Sequence, residues 1–295
     1  MSERRTVFPG TALPVLLLAP QLLLTAVFFL WPAFGALTAS VQRSDPFGIS
    51  TTFVGLENFA DLLADPLYLA AVWRTLVFCA AVSLLSMGAA LLLALCADGV
   101  VRGRVFYRTA LIWPYAVAPV VSAAVWLLML HPQIGWLTPA LEALGIAWNY
   151  RLDDTQAMLL VILASAWKQV SYNFIFFLAG LQAIPANVVE AARMDGAGPV
   201  RRFATILFPL LAPTIGFLLT VNIAYSAFET FGTIEALTQG GPGQATQTLM
   251  VKVYRDGVVN LDLGASSAQS VVLMAGTMGL ILLQARLMRR RGDAS

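Results

Sequence analysis

Residues 190–198 read Glu-Ala-Ala-Arg-Met-Asp-Gly-Ala-Gly and lie between two long apolar stretches, 156–179 and 206–230. Pro185 breaks the end of the first stretch, so Ala186 to Met194 reads as a short helix with Glu190 and Arg193 one turn apart. Asp195-Gly196 ends it, because glycine takes the left-handed conformation that stops a helix. Gly198-Pro199 breaks the chain again. Arg201, Arg202 and Phe203 then open a second amphipathic turn that runs into a stretch holding Pro209 and Pro213. Two readings are open. An interfacial helix would lie flat on the inner leaflet. The small side chains of Ala191, Ala192 and Ala197 suit instead a cleft on another protein.

The rest of the chain makes that segment an exception. Of 295 residues, 59% are hydrophobic and 12% charged, with a mean hydropathy of +0.77. A soluble domain carries about 25% charge, so lipid must solvate much of this surface. The net charge of +2 gives no case for nucleic acid. Cys79 and Cys96 fall in one apolar stretch and imply no disulfide framework. His131 is the only histidine, which excludes a histidine-based metal cluster. Arg4 and Arg5 precede an uncharged run from Thr11 to Val41. That run is about twice a signal-peptide core, so it reads as a retained span.

Six charge-poor stretches reach the roughly 20 residues that a membrane helix needs: 13–39, 71–97, 109–130, 156–179, 206–230 and 264–286. The expected architecture is an all-α membrane protein, one transmembrane domain over 1–295, with a tail at 1–12 and an inner loop at 180–205. With the N-terminus inside, the inner segments hold Arg4, Arg5, Arg102, Arg104, Arg108, Arg193, Arg201, Arg202, Arg286, Arg289, Arg290 and Arg291, which is 12 of the 18 basic residues. Asp45, Glu57, Asp61, Asp65, Asp153, Asp154 and Asp256 fall outside. This is the positive-inside pattern, with both termini cytoplasmic. The outer loops are rich in turn residues, as in Ser44-Asp45-Pro46-Phe47-Gly48 and Gly240-Gly241-Pro242-Gly243. Gly35, Gly88, Gly180, Gly216, Gly276 and Gly279 read as sites of close helix packing.

Glu190-Ala191-Ala192, Asp195-Gly196-Ala197, Phe203, Ile206, Pro209 and Pro213 resemble the EAA loop of ABC-importer permeases. Phe53-Val54-Gly55-Leu56-Glu57-Asn58-Phe59, and Gly240-Gly241-Pro242 with Thr246, resemble the carbohydrate-type, MalF-like members. A narrower set resembles the UgpA-type permeases of sn-glycerol-3-phosphate importers: Leu18-Ala19-Pro20-Gln21, Asp45-Pro46-Phe47-Gly48, Pro114 to Pro119, Trp167 to Phe174, and Ser266 to Met274. The resemblance implies the type I ABC importer permease fold in the bacterial inner membrane, with alternating access. Glu190, Ala191, Ala192, Arg193, Asp195, Gly196 and Ala197 would form the coupling helix that docks on a cytoplasmic ATPase. The implied partners are a second permease (UgpE-type), two ATPase copies (UgpC-type) and an extracytoplasmic binding protein (UgpB-type). The implied substrates are sn-glycerol 3-phosphate and glycerophosphodiesters. Maltose- and trehalose-type permeases share the first motifs, which keeps a neutral disaccharide as the alternative.

A phosphate-cradling loop needs GxxxxGK[ST]. The only lysines, Lys168 and Lys252, are followed by Gln169 and Val253. The chain therefore reads as non-enzymatic, with ATP and magnesium used by the partner ATPase and no cofactor of its own. Polar groups at membrane depth are costly and mark pathways or interhelical seams. Lys168, Tyr172 and Asn173 lie in the fourth stretch; Asn222, Tyr225, Ser226 and Glu229 share one helical face in the fifth; Gln269 opens the sixth. Lys168 either meets a phosphate or pairs with Glu229, and the asparagine face is either a substrate lining or a seam. A membrane enzyme would need clustered acids or a nucleophile at depth, and an ion-driven transporter a buried acidic relay. Neither pattern is present, and neither class would need the docking segment.

Overall fold

The computed structural model describes residues 12–45, 50–98 and 104–292. Arg4, Arg5, Arg102 and Pro46-Phe47-Gly48 lie outside the described residues. The chain is mostly helical, as a backbone in lipid must be when no water can satisfy its amides. Helix α1 (Ala12–Thr25) passes through a π-turn at Ala26–Leu30 into α2 (Trp31–Ser40). A two-stranded hairpin follows, β1 (Gln42–Ser44) pairing antiparallel with β2 (Thr51–Phe53), Gln42 opposite Phe53. Then come α3 (Glu57–Ala64), the long α4 (Pro66–Asp98), α5 (Arg104–Ile112), α6 (Pro119–Leu130), α7 (Thr138–Ala143) and the long α8 (Asp154–Gln182). The inner segment holds α9 (Ala186–Met194) and α10 (Pro199–Arg202), with α11 (Phe208–Leu210) beyond it. Helices α12 (Ala212–Ala224), α13 (Phe231–Leu237), α14 (Leu249–Tyr254) and α15 (Leu263–Gly292) complete the order.

Among the described residues four helices are long and apolar enough to cross a membrane, Val15–Ser40, Pro66–Asp98, Asp154–Gln182 and Leu263–Met288. The count becomes six if two bent pairs are each one span. The stretches 109–130 and 206–230, expected as single helices, are the bent ones. Val105–Ala116 meets Pro119–Leu130 at 104°. The cause is Pro119, whose ring forces the preceding Ala118 out of the helical region, to ψ 144. Pro199–Leu210 meets Ala212–Glu229 at 68°. Here Pro213 offers no N–H to the carbonyl of Pro209, and the chain turns at Leu211.

The chain divides into two compact units. The first comprises residues up to Ala64 and Val253–Val272. Its helix α1–α2 exposes apolar side chains along its length, Leu16, Phe29 and Trp31 among them. Asn58 is buried and donates both amide hydrogens to the carbonyls of Ser40 and Gln42, each at 2.9 Å. Gly55 has φ +60, and the N–H groups of Val54 and Gly55 both reach the Val41 carbonyl. The Phe53–Phe59 motif is thus a clamp that ties the hairpin to the end of the first span.

The second unit comprises Asp65–Lys252 and the chain from Leu273. Its backbone is the α4–α8 pair. Along α4 the buried residues Phe78, Val82, Ser86, Ala90 and Ala94 recur every four positions, which is one helical face. Phe78 and Val82 join Leu160, Val161, Ala164, Ile234 and Val251 in one apolar cluster. Ala90 and Ala94 join Phe174, Phe177, Leu178, Leu211 and Leu218 in another. Ser86 belongs to neither. Two of the six span glycines do sit against a neighbour. A Cβ on Gly216 would strike the Met288 thioether, and one on Gly180 would meet Leu211 and Thr214 at 2.9 and 3.0 Å. Gly35, Gly88, Gly276 and Gly279 face nothing within 4 Å, so close packing inside this chain does not explain them.

Candidate functional site

The inner segment is built by its own breaks. Pro185, at φ −60 and ψ 130, stands outside α9 as its N-cap. At the other end Gly196 has φ +75, the left-handed region that favours glycine. The Gly196 N–H donates to the Arg193 carbonyl at 3.1 Å and the Ala197 N–H to the Ala192 carbonyl at 3.0 Å. This paired closure is the Schellman motif, which satisfies the orphan carbonyls of the last turn. A single φ/ψ choice at Gly196 therefore fixes where the helix stops and where Ala197 turns back.

Ala192 is the one buried side chain of α9. Glu190, Ala191, Arg193, Asp195 and Gly196 are exposed and Ala197 is half-buried. Among the described residues no ion pair engages Glu190 or Arg193. Met194 is 89% exposed and Val200 80%. A short helix with open charges and large apolar knobs has the chemistry of a docking element rather than of a packed core. Met194 and Val200 were not legible as contact residues; their only sequence signal was apolar character on an otherwise polar segment.

The groups at membrane depth separate into two sets. Asn173 and Asn222 are fully buried. The Asn222 amide donates to Asn173 Oδ1 at 2.8 Å and to the Leu218 carbonyl at 2.7 Å. The Asn173 amide donates to Ser86 Oγ at 3.1 Å and Asn222 Oδ1 at 3.2 Å, and Ser86 Oγ donates to the same Oδ1 at 2.9 Å. Three helices, α4, α8 and α12, are tied by this closed set, which lies between the two apolar clusters. This arrangement has the geometry of a seam, one of the two readings open for the asparagines. Ser86 is the member that spacing alone did not bring forward.

Tyr225 and Ser226 are buried too, the tyrosine hydroxyl donating to the Ser165 carbonyl at 3.3 Å. They begin a π-turn, Tyr225–Glu229. The wider turn changes the register, so Glu229 does not stay on the face of Asn222: it is exposed while the other three are buried. Gln269 is buried in the first unit and donates to Asp256 Oδ2 at 2.6 Å.

Lys168 and Tyr172 differ. Both are half-buried and, with Phe176, recur every four residues on α8. Tyr115 lies 5.6 Å from the Tyr172 ring, Tyr172 4.8 Å from Phe176, and Phe176 5.1 Å from Phe217. An aromatic ladder thus runs beside a lysine. No ion pair within 4.0 Å joins Lys168 and Glu229. Among the described residues no group of three or more metal-ligating side chains occurs.

Residues 86–293 match the family model described as the binding-protein-dependent transport system inner membrane component. The chain is 56% identical, over 98% of each sequence, to the sn-glycerol-3-phosphate transport system permease protein UgpA of Brucella suis biovar 1 (strain 1330). It is 52% identical, over 99% of each, to the protein of that name from Yersinia pseudotuberculosis serotype I (strain IP32953). A chain of the bacterial alginate ABC transporter, crystallised with an alginate pentasaccharide-bound periplasmic protein, has the same fold, with TM-score 0.82, 21% identity, and 95% and 94% of the two chains covered. The matched stretch contains Ser86, Asn173 and Asn222 as well as the segment around Glu190, and the chain belongs to the family of binding-protein-dependent transport system inner membrane components.

Proposed function

We propose that this chain is one half of the membrane pore of an ATP-driven importer for sn-glycerol 3-phosphate and glycerophosphodiesters. The observation that carries the substrate is the 52–56% identity, over nearly the whole chain, to permeases named for that transport. The half-buried Lys168, with no ion pair among the described residues, supports it, because a phosphate at membrane depth needs a cation. Six spans are proposed, each bent pair counting as one, with both termini cytoplasmic. That topology puts α9 inside with the arginines of the inner segments.

In this reading Glu190, Ala191, Ala192, Arg193, Asp195, Gly196 and Ala197 dock in a groove of a cytoplasmic ATPase, two copies of which serve this chain and a second permease. An extracytoplasmic binding protein delivers the substrate. The chain binds no cofactor, and ATP with magnesium works on the ATPase. Nucleotide and loaded binding protein favour different states of the pore, and that difference is the coupling. Lys168, Tyr172, Ser226 and Glu229 border the pathway, while Asn173, Asn222 and Tyr225 hold the helices that form it.

The test is ATP-dependent uptake by proteoliposomes that hold this chain with its second permease, ATPase and binding protein. Labelled sn-glycerol 3-phosphate enters in the expected outcome. Uptake of maltose or trehalose in its place overturns the substrate and leaves the importer role intact.

A further inference from the structure

Arg74 lies on α4 two turns from its N-terminal end, inside a candidate span. Its Nη1 is buried without a hydrogen-bond partner, and no ion pair among the described residues includes it. A guanidinium never gives up its proton, so it cannot escape burial by becoming neutral. Half-buried, it is stabilised by an anion that can reach it. Arg74 lines a recess of about 460 Å³ with Asp154, Thr155, Met158 and Ile162 of α8 and with Gln244 of the loop after α13. Gln244 Oε1 is also buried without a partner. The side chains that carry this unanswered donor and acceptor therefore line one recess, whose volume suits a small ligand.

The chemistry of the walls selects the ligand. The planar guanidinium fork matches phosphate oxygens. A carboxamide answers hydroxyl groups, accepting through its oxygen and donating through its nitrogen. The amino end of the 29-residue α8 adds partial positive charge on the same side. Asp153 is engaged, its carboxylate accepting from the Gln156 N–H at 2.9 Å. Asp154 is exposed at the rim and is the one acidic rival for Arg74 in the recess. We propose that the recess of Arg74 and Gln244 is an anion site that takes the phosphate of a phosphorylated polyol, separate from the ladder of Lys168 and Tyr172. The choice of polyol rests on the substrate proposed above.

The test uses the complete transporter carrying Thr155→Cys, an exposed position at the recess, with the parent chain measuring background from Cys79 and Cys96. The rate of modification by a thiol reagent is read with sn-glycerol 3-phosphate, inorganic phosphate or glycerol present. Both phosphates should slow it about tenfold and glycerol should not, given that charge-assisted bonds dominate the site. Arg74→Gln should abolish the protection, Arg74→Lys should keep part of it, and Asp154→Asn should leave it or increase it. Protection by glycerol equal to that by phosphate, protection by neither phosphate, protection surviving Arg74→Gln, or its loss in Asp154→Asn overturns the proposal. Slow modification in vesicles without ligand, relieved in lipid-free detergent, assigns the recess to a lipid headgroup and overturns it too. Parent transporter that fails to import sn-glycerol 3-phosphate, while inorganic phosphate still protects Thr155→Cys, removes the substrate reading and keeps the anion site.

Discussion

The seam of Ser86, Asn173 and Asn222 and the segment around Glu190 are both polar islands in an apolar chain, and the structure uses them in opposite ways. In the seam every amide hydrogen bond is made inside the chain, and all three side chains are fully buried. On α9 the charges of Glu190 and Arg193 are exposed and engage in no ion pair. A satisfied buried polar group has no capacity left for a ligand. An open charge beside an exposed Met194 has capacity and no ion-pair partner among the described residues to use it. Polarity alone therefore does not mark a working surface; unused hydrogen-bonding and charge capacity does.

The largest effect should come from closing that open surface. Gly196→Pro fixes φ near −65° where the chain holds +75 and removes the N–H that reaches Arg193. Glu190→Arg reverses an exposed charge. Each should abolish ATP-driven uptake while the chain still appears at normal level in the membrane fraction. Uptake at the parent rate by either variant breaks the contrast. The seam should respond in a different quantity. Asn222→Leu leaves the Asn173 amide buried without its partner, a cost of about 1–3 kcal/mol, reduced toward about 0.6 where the unfolded chain finds other partners in lipid. Thermal unfolding in detergent should shift down accordingly. Asn173→Leu combined with Asn222→Leu should cost less than the sum of the two single changes, because neither amide is then stranded. Additive losses would mean that the pair is not coupled.

The sequence displayed these two regions unequally. Helix α9 was legible to the residue, since Pro185 and Gly196 are local devices that act through φ alone. Helices α4 and α8 were legible as apolar runs. The breaks at Ala118 and Leu211 were written in Pro119 and Pro213, but a hydropathy window averages across a proline and sees one span. The seam was half legible: Asn173 and Asn222 stood out, whereas a serine in a span is too common to signal anything. Glu229 was placed on the wrong face because spacing by 3.6 assumes an α-turn, and the chain takes a π-turn at Tyr225–Glu229. No residue type announces that turn; it arises from packing.

Lys168 sits between the extremes, half-buried with Tyr172 one turn away, and it supplies the finer test. If it meets a phosphate in the pathway, Lys168→Ala should lower the uptake of sn-glycerol 3-phosphate by roughly ten- to a hundredfold, in line with the loss of one charge-assisted bond at about 1.5–3 kcal/mol. Thermal unfolding should stay unchanged, because the lysine has no ion-pair partner to strand. Glu229→Gln should be neutral or raise uptake by removing a negative charge that repels the anion. A fall in stability matching the fall in uptake would move Lys168 to the side of the seam.

The smallest effect belongs to the hairpin unit. Arg43 reaches Glu57 at 3.3 Å and Asp61 at 2.9 Å, but the arginine side chain is 50% exposed and the acids more so. Water screens such pairs to about 0–1 kcal/mol. Asn58, by contrast, is buried and serves two carbonyls, so Asn58→Ala should cost more stability than Arg43→Ala despite carrying no charge. Thermal unfolding of the two variants side by side ranks them. The reverse order would mean that exposed charge, rather than satisfied burial, holds the hairpin to its span, and the distinction drawn between seam and docking surface would fail where it is cheapest to test.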